Sequence, residues 1–393
     1  MDSSDLTEVV GHYGSHLREK PVNEMAVAFS SANATGFPRD FLSSLRCSRD
    51  AGPLTIVAEL EGDERYVSKA WMRCVTCAAE YRIEEGIARL LDCRLTPESE
   101  HEIAVRDAND ALTQPGPFVA PAFGWRSQLS DLLEIPPHLD ALEAGNCRVL
   151  ELGCGDGRFT LLMAQAGARV LAVDFSINAL RVLASRLPSG VAPTTYRVGE
   201  RRQVADLNGC VALVHADASQ LHLAPRCFDR ALSTTPLDSR DERMAMYRTI
   251  AEALKDEGRF VGSVEHDDLT RRLLGLPVAR RYDNGIFIEH FDPATMRREA
   301  TPYFARLRTR IIRPRIPFLH RVPSGWALPL SRIFGALPIL RGLGEILLLR
   351  AERPLRRPVE GVRRRGNTLA QRFYRWYMRK IGKERLREGY EPV

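Results

Sequence analysis

The stretch VLELGCGDGRFT, residues 149–160, sets glycines at 153, 155 and 157 directly after a run of aliphatic residues. Glycines at alternate positions supply no side chains to a core and relax the backbone, so the chain must bend there and present bare main chain to something else. The residues that follow, GRFTLLMAQAG, read as a helix. Strand, glycine bend and helix in that order put helix amides at the carboxyl end of a strand, where open α/β sheets receive anionic ligands.

The 393-residue chain is 44% hydrophobic, enough to bury a substantial core. Downstream of the bend, strand and helix patterns alternate: RVLELG, then a helix; RVLAVD, then SINALRVLASRL; VALVHAD; FDRALST, then DERMAMYRTIAEALKD; and GRFVGSVEH. The strands are continuously aliphatic, as expected when helices cover both faces of a mostly parallel sheet. A doubly wound α/β fold follows, which LRTRIIRP and EILLLRAE are placed to close. The sequence divides into an N-terminal segment (1–39), a small β-rich module (40–92), a Pro/Gly-containing linker (93–123), the α/β domain (124–352) with a lid-like insertion at 314–344, and a basic C-terminal extension (353–393). The segment at 188–209 enters the N-terminal end of the third strand of that domain, away from the carboxyl edge.

The net charge of +6 is unevenly spread: residues 301–393 hold 22 Lys+Arg against 6 Asp+Glu, a net of +16, which leaves −10 for residues 1–300. An acidic body argues against nucleic acid wrapping the whole protein. The start, MDSSDLTEVVGHYG, has no basic residues leading into an apolar run, so a cytoplasmic protein is expected. Arg321, Arg332 and Arg341 interrupt the most hydrophobic stretch, which argues against a spanning helix. The eight cysteines are irregularly spaced and read as reduced thiols.

The dinucleotide fingerprint spaces its glycines G-x-G-x-x-G; here the third falls early and Arg158 occupies its place. A ligand with a carboxylate and an adenosyl group but no pyrophosphate suits this bend better. The segment resembles motif I of the class I S-adenosylmethionine-dependent methyltransferases, in particular the subgroup that includes quinone-biosynthesis and natural-product enzymes, and the resemblance continues in register. It implies that Glu151, Gly153, Gly155 and Gly157 line the S-adenosyl-L-methionine site. Asp174, beside Phe175, would bond the ribose hydroxyls; Asp217, beside Ala218, would hold the adenine amino group. Ser233 and Thr234 of FDRALST would complete the set.

Methyl transfer from a sulfonium is an in-line displacement that disperses charge, so alignment is its chief demand, and a base helps when the acceptor is a hydroxyl or an ammonium. Candidates lie after the fourth and fifth strands: His266 first, whose ordinary pKa suits proton removal near neutrality, with Glu265, and behind them Thr234, Thr235, Tyr282, Glu289 and His290. A histidine that only bonds a neighbouring loop is the alternative. The apolar insertion IPFLHRVPSGWALPLSRIFGALPIL reads either as a lid over a lipophilic or anionic acceptor or as plain core cover.

In the β-rich module Cys47 and Asp50 are spaced C-x-x-D and Cys74 and Cys77 C-x-x-C. Two such knuckles suit one tetrahedral ion, although the second position is normally cysteine. FLSSLRC…WMRCVTCAAEYRIEEGIARLL resembles the small zinc-ribbon protein that activates tRNA and protein methyltransferases, which implies a bound Zn or a metal-free descendant of such a site. The tail, with Phe373, Trp376 and Tyr377 among arginines, suits a membrane surface, RNA or the protein's own acidic domain. The expected acceptor is a small-molecule or lipid-like biosynthetic intermediate; rRNA or tRNA base methylation and a non-catalytic adaptor are the alternatives.

Overall fold

The computed structural model describes residues 36–91, 125–196, 206–234, 239–281, 287–314, 324–337 and 340–356, with single positions at 104, 198 and 316. Most of the N-terminal segment, the linker, Thr235, Tyr282 and the basic extension beyond Arg356 lie outside the described residues. The chain runs β1 (Phe37–Pro38), a 3-10 turn (Arg39–Ser44), β2 (Leu54–Gly62), β3 (Tyr66–Cys74), β4 (Glu80–Glu84), β5 (Ile87–Arg89), α1 (Trp125–Leu142), β6 (Arg148–Leu152), α2 (Thr160–Gln165), β7 (Arg169–Asp174) and α3 (Ile177–Arg186). It continues through β8 (Val211–His215), β9 (Phe228–Ser233), α4 (Arg240–Ala253), β10 (Leu254–His266), α5 (Leu269–Leu273), β11 (Ala279–Arg281) and β12 (Phe287–Phe291). Last come α6 (Pro293–Ala300), β13 (Phe304–Pro314), α7 (Ser324–Ala336), a 3-10 turn (Leu340–Leu343) and β14 (Gly344–Pro354).

The centre is a parallel ribbon ordered β8-β7-β6-β9-β10. As expected from LRTRIIRP and EILLLRAE, β14 pairs antiparallel with β10, and β13 with β14. Each central strand is apolar on both faces. Leu150, Leu171 and Val173 feed one hydrophobic cluster with Met246 and Ile250 of α4; Val149, Val170 and Ala172 feed the other with α2, α3 and α1. Helix starts are marked locally: Ser176 caps α3 through Ala179 N–H, Ser239 and Glu242 form a capping box on α4, and Asp292 caps α6 ahead of Pro293. Among the described residues no helix is long and apolar enough to cross a membrane.

Three elements differ from expectation. The helix after the glycine bend begins only at Thr160, because the glycines and the two residues after them are spent on turns. The helix expected to reach Asp256 stops at Ala253, where β10 begins. The helix α1 has Pro136 and Pro137 inside it, which hid it from pattern reading.

The 40–92 segment joins the same sheet. Its last strand, β5, pairs parallel with β8, so β1 to β5 extend the central ribbon by one antiparallel layer of strands. Phe37, Phe41, Met72 and Ile83 share a single buried cluster with Leu150, Phe260 and Leu347. Arg148, at the start of β6, stacks 4.1 Å over the Phe41 ring and donates to Ser44 Oγ and the Asp40 carbonyl, both at 2.9 Å. A core shared in this way should unfold together. Phe41→Ala, at a fully buried ring, should therefore destabilise by about 3–5 kcal/mol; calorimetry should show one lowered transition, whereas an independent module would melt separately and leave the main transition in place.

Candidate functional site

At the carboxyl end of β6 the chain takes the sharp bend its glycines require. Gly153, Gly155 and Gly157 all have positive φ, at 72°, 53° and 95°, a region glycine enters without steric penalty. Their reasons differ. A Cβ on Gly157 would sit 2.3 Å from Leu183 Cδ1, so that glycine lets α3 close against the bend. A Cβ on Gly155 would meet nothing within 4 Å: this position faces open space. The charged residues beside the glycines are held by ion pairs, Asp156 to Arg186 at 2.6 Å and Arg158 to Asp131 at 2.7 Å and Glu134 at 3.1 Å. Arg158, in the place where a dinucleotide fold keeps a glycine, thus anchors the bend to α1.

Asp174 ends β7 and fastens the neighbouring loop to this bend. Its Oδ2 accepts from Gly155 N–H and its Oδ1 from Ser176 N–H, both at 2.8 Å. A cavity of about 310 Å³, open to solvent, lies between these loops and is lined by Gly153, Asp174, Phe175, Ala218 and Ser233 together with Met246 of α4. Five of the residues expected at the cofactor thus share one cavity. Thr234, partly exposed, follows Ser233 directly. Asp217 lies elsewhere: it lines a neighbouring cavity of about 250 Å³ with Arg46, Ser48, Leu90 and His222, and the two cavities share Ala216. Its Oδ1 accepts from both Ser219 N–H and Ser219 Oγ at 2.7 Å, which shapes its own turn.

Glu151 lies behind the bend, 3% exposed, where its Oε2 accepts from Thr160 Oγ1 at 2.5 Å. Burial pushes its carboxyl up to about 8; the Thr160 hydroxyl pulls the other way, and the nearby Asp174 charge adds to the rise.

On the acceptor side, β10 runs four residues past Gly262, the residue in register with Ser233, so His266 stands about 13 Å farther along the strand. Its Nδ1 donates to the Gly344 carbonyl at 2.7 Å. A carbonyl accepts only, so Nδ1 carries the proton and Nε2 the lone pair. Burial lowers its pKa, partly countered by the bond to Gly344, and keeps the ring neutral near pH 7. Glu265, half-buried, pairs in register with His290 of β12 and Ile346 of β14. Glu289 is differently employed: Arg243 of α4, itself buried, holds it at 3.0 Å and Glu299 of α6 at 3.0 Å, a buried ionic triad that joins three elements. The sequence offered no sign of this triad, because its members come from separate elements.

The four residues of the two knuckles converge. One ligand atom from each of Cys47, Asp50, Cys74 and Cys77 lies within 4.8 Å of all the others. Cys47 Sγ is 3.5 Å from Cys77 Sγ and Cys74 Sγ is 3.3 Å from Asp50 Oδ1, spacings close to the edges of a zinc thiolate tetrahedron. Tyr81 Oη, 3.1 Å from Cys47 Sγ, braces the group from behind. The backbone bond from Gly52 chiefly holds Asp50 down to about 2, so it offers an ionised oxygen. Three thiols and an ionised carboxylate in this arrangement fit a divalent ion.

The glycine bend and Asp174 fall within a methyltransferase domain of the S-adenosylmethionine-dependent kind. Residues 150–262 match the family model described as a methyltransferase domain. No curated protein matches the chain. Among solved structures the chain is similar to an S-adenosylmethionine-dependent methyltransferase from Mesorhizobium loti, at 22% identity over 58% of this chain and 100% of that one, with a TM-score of 0.39. It is similar also to the Burkholderia thailandensis 1,6-didemethyltoxoflavin-N1-methyltransferase with bound 1,6-didemethyltoxoflavin and S-adenosylhomocysteine, at 16% identity over 76% of this chain and 99% of that one, TM-score 0.36. A third is the Haloferax volcanii complex between the Trm112 methyltransferase activator and a methyltransferase, at 16% identity over 65% of this chain and 97% of that one, TM-score 0.40.

The two glycine environments separate folding from ligand binding. Gly157→Ala meets Leu183 at 2.3 Å and should lose about 1–3 kcal/mol of stability. Gly155→Ala enters open space and should lose only about 1 kcal/mol from its positive φ, yet bind S-adenosylhomocysteine at least about tenfold more weakly because its methyl group intrudes where the ligand approaches the backbone. Paired thermal melts and titrations decide this; equal binding losses at both positions would count against the assignment.

Proposed function

We propose that the protein transfers a methyl group to a small-molecule or lipid-like acceptor by in-line displacement, with His266 as the base. When bound, S-adenosylmethionine supplies an electrophilic methyl group on a sulfonium. The residues fitted to hold it are Gly153, Asp174, Phe175, Ala218 and Ser233, which line one cavity, with Gly155, whose N–H bonds Asp174, on the bend beside it and Glu151 behind the bend. Asp217, beside the shared Ala216, borders the same region from the next cavity. The observation that carries the acceptor chemistry is the 2.7 Å bond between His266 Nδ1 and the Gly344 carbonyl: a carbonyl only accepts, which leaves the lone pair on Nε2 to take the proton that an attacking hydroxyl or ammonium must lose. Glu265 lies on the same strand end and would orient the acceptor or share the proton. Glu289 is committed to Arg243 and takes no part. An apolar acceptor suits the apolar helix α7, which leads through the Leu340–Leu343 turn to Gly344.

Cys47, Asp50, Cys74 and Cys77 would hold a structural zinc ion, which adds no step to the transfer but clamps the knuckles that place Arg46 and Ser48 in the cavity beside Asp217. Elemental analysis of protein purified without added metal should find zinc in equimolar amount, and Cys74→Ser with Cys77→Ser should abolish it; absence of metal from native protein would mark a metal-free descendant.

Titration calorimetry with S-adenosylhomocysteine should give a saturable isotherm, and its absence would favour a non-catalytic adaptor. Labelled S-adenosylmethionine incubated with cell extracts and the pure protein should mark an RNase-resistant, organic-soluble product. With that acceptor, kcat/KM should be lost as pH falls through the depressed value of His266, so the acid limb lies below its ordinary 6.5. His266→Ala should remove that limb and lower the rate by about 10²- to 10⁴-fold; an unchanged profile would reduce His266 to a loop-bonding residue.

A further inference from the structure

The outer face of α7 is apolar where a helix packed on a sheet is ordinarily polar. Its inward positions are small, with Ala327 and Ser331 buried, while Trp326 and Ile333 are 66% and 57% exposed. Leu337, one residue beyond the helix and bonded back to Ile333 O, is 47% exposed. These residues, with exposed Pro329, fall at spacings of three, four and four, a single stripe on the helix. Arg332 is exposed beside it. A second apolar group stands on and just after α5, where Leu269, Leu273 and Leu274 are 49%, 67% and 63% exposed. Both helices pack against the Leu340–Leu343 turn, so the two groups share one edge of the molecule. That edge is the one at which His266 bonds Gly344.

Large apolar side chains exposed together in this way mark a binding surface. Charge indicates what binds. Arg306, Arg308 and Arg310 alternate on the exposed side of β13, the strand against which α7 packs, and Arg332 is exposed on α7 itself. A helix with a Trp/Ile/Leu face set among arginines matches a surface that is anionic outside and apolar beneath. We propose that this edge docks on an anionic phospholipid bilayer, with Trp326, Ile333 and Leu337 of the α7 stripe inserted among the headgroups and Leu269, Leu273 and Leu274 alongside. Docking in that orientation turns the His266 edge toward the lipid, so an apolar acceptor reaches it without crossing water. The docking surface stands on exposure and charge alone and does not depend on the transferase reading.

Full-length protein should co-sediment with vesicles of equal parts phosphatidylcholine and phosphatidylserine, bind pure phosphatidylcholine vesicles less, and release as salt is raised. The double variant Trp326→Ser, Ile333→Ser should bind at least about tenfold more weakly, with its S-adenosylhomocysteine isotherm unchanged. Should that variant fold poorly, Trp326→Phe decides: the blue shift of tryptophan emission on adding anionic vesicles should largely vanish with this one indole. Three results would overturn the proposal: wild-type protein left in the supernatant, a double variant that binds as tightly as wild type, or a face that light scattering shows to be closed by a second copy of the chain. Vesicle binding without an isotherm would leave this proposal standing and remove the methyltransferase reading instead.

Discussion

One carboxylate holds the ligand edge together. Asp174 accepts the Gly155 and Ser176 amides with its two oxygens, and so ties the loop after β6 to the loop after β7. Each loop alone is a short stretch of backbone with positive φ or an exposed turn. Joined, they form opposite walls of a cavity whose floor is the ends of β6 and β7. The same residue therefore shapes the cavity and lines it, and its charge helps to keep Glu151 protonated behind the bend. The ion pairs of Asp156 with Arg186 and of Arg158 with Asp131 complete the arrangement, because they fasten the bend to α3 and α1.

The β-rich module shows how an added element becomes part of a fold. The pairing of β5 with β8 extends a parallel sheet, and the apolar faces of β3 and β4 continue the cluster that α4 covers farther along. Burying an edge strand removes a row of unpaired amides and carbonyls that would otherwise invite association. It also places the first cysteine knuckle beside a cavity that shares Ala216 with the cofactor cavity. The first knuckle and the cavity beside Asp217 thus have a common wall.

Much of this architecture was legible in local pattern. The continuous aliphatic runs of β6, β7, β8 and β9 identified a sheet covered on both faces, and the glycines identified the sharp bend that follows β6. The knuckle spacing of Cys47, Asp50, Cys74 and Cys77 was enough to place four ligand atoms together. Pattern reading failed where two signals conflicted or a partner was remote. Pro136 and Pro137 masked α1, although packing against β13 and β14 supports that helix through the prolines. Glu289 read as an acceptor-side acid because nothing near it in sequence announces Arg243 or Glu299; burial then drives these charges together, since a lone buried carboxylate is costly.

The amino-acid sequence by itself determined the order of strands and helices, the bend at residues 153–157 and the class of cofactor that such a bend receives. These depend on backbone freedom and side-chain polarity within a few residues of each other. Only the tertiary structure decided where the polar groups come to lie: Asp174 at one cavity and Asp217 at the next, His266 Nδ1 bonded to Gly344, Glu289 withdrawn into an ionic triad. Those outcomes depend on which distant donor or charge burial brings within about 3 Å, and no local pattern encodes such a meeting.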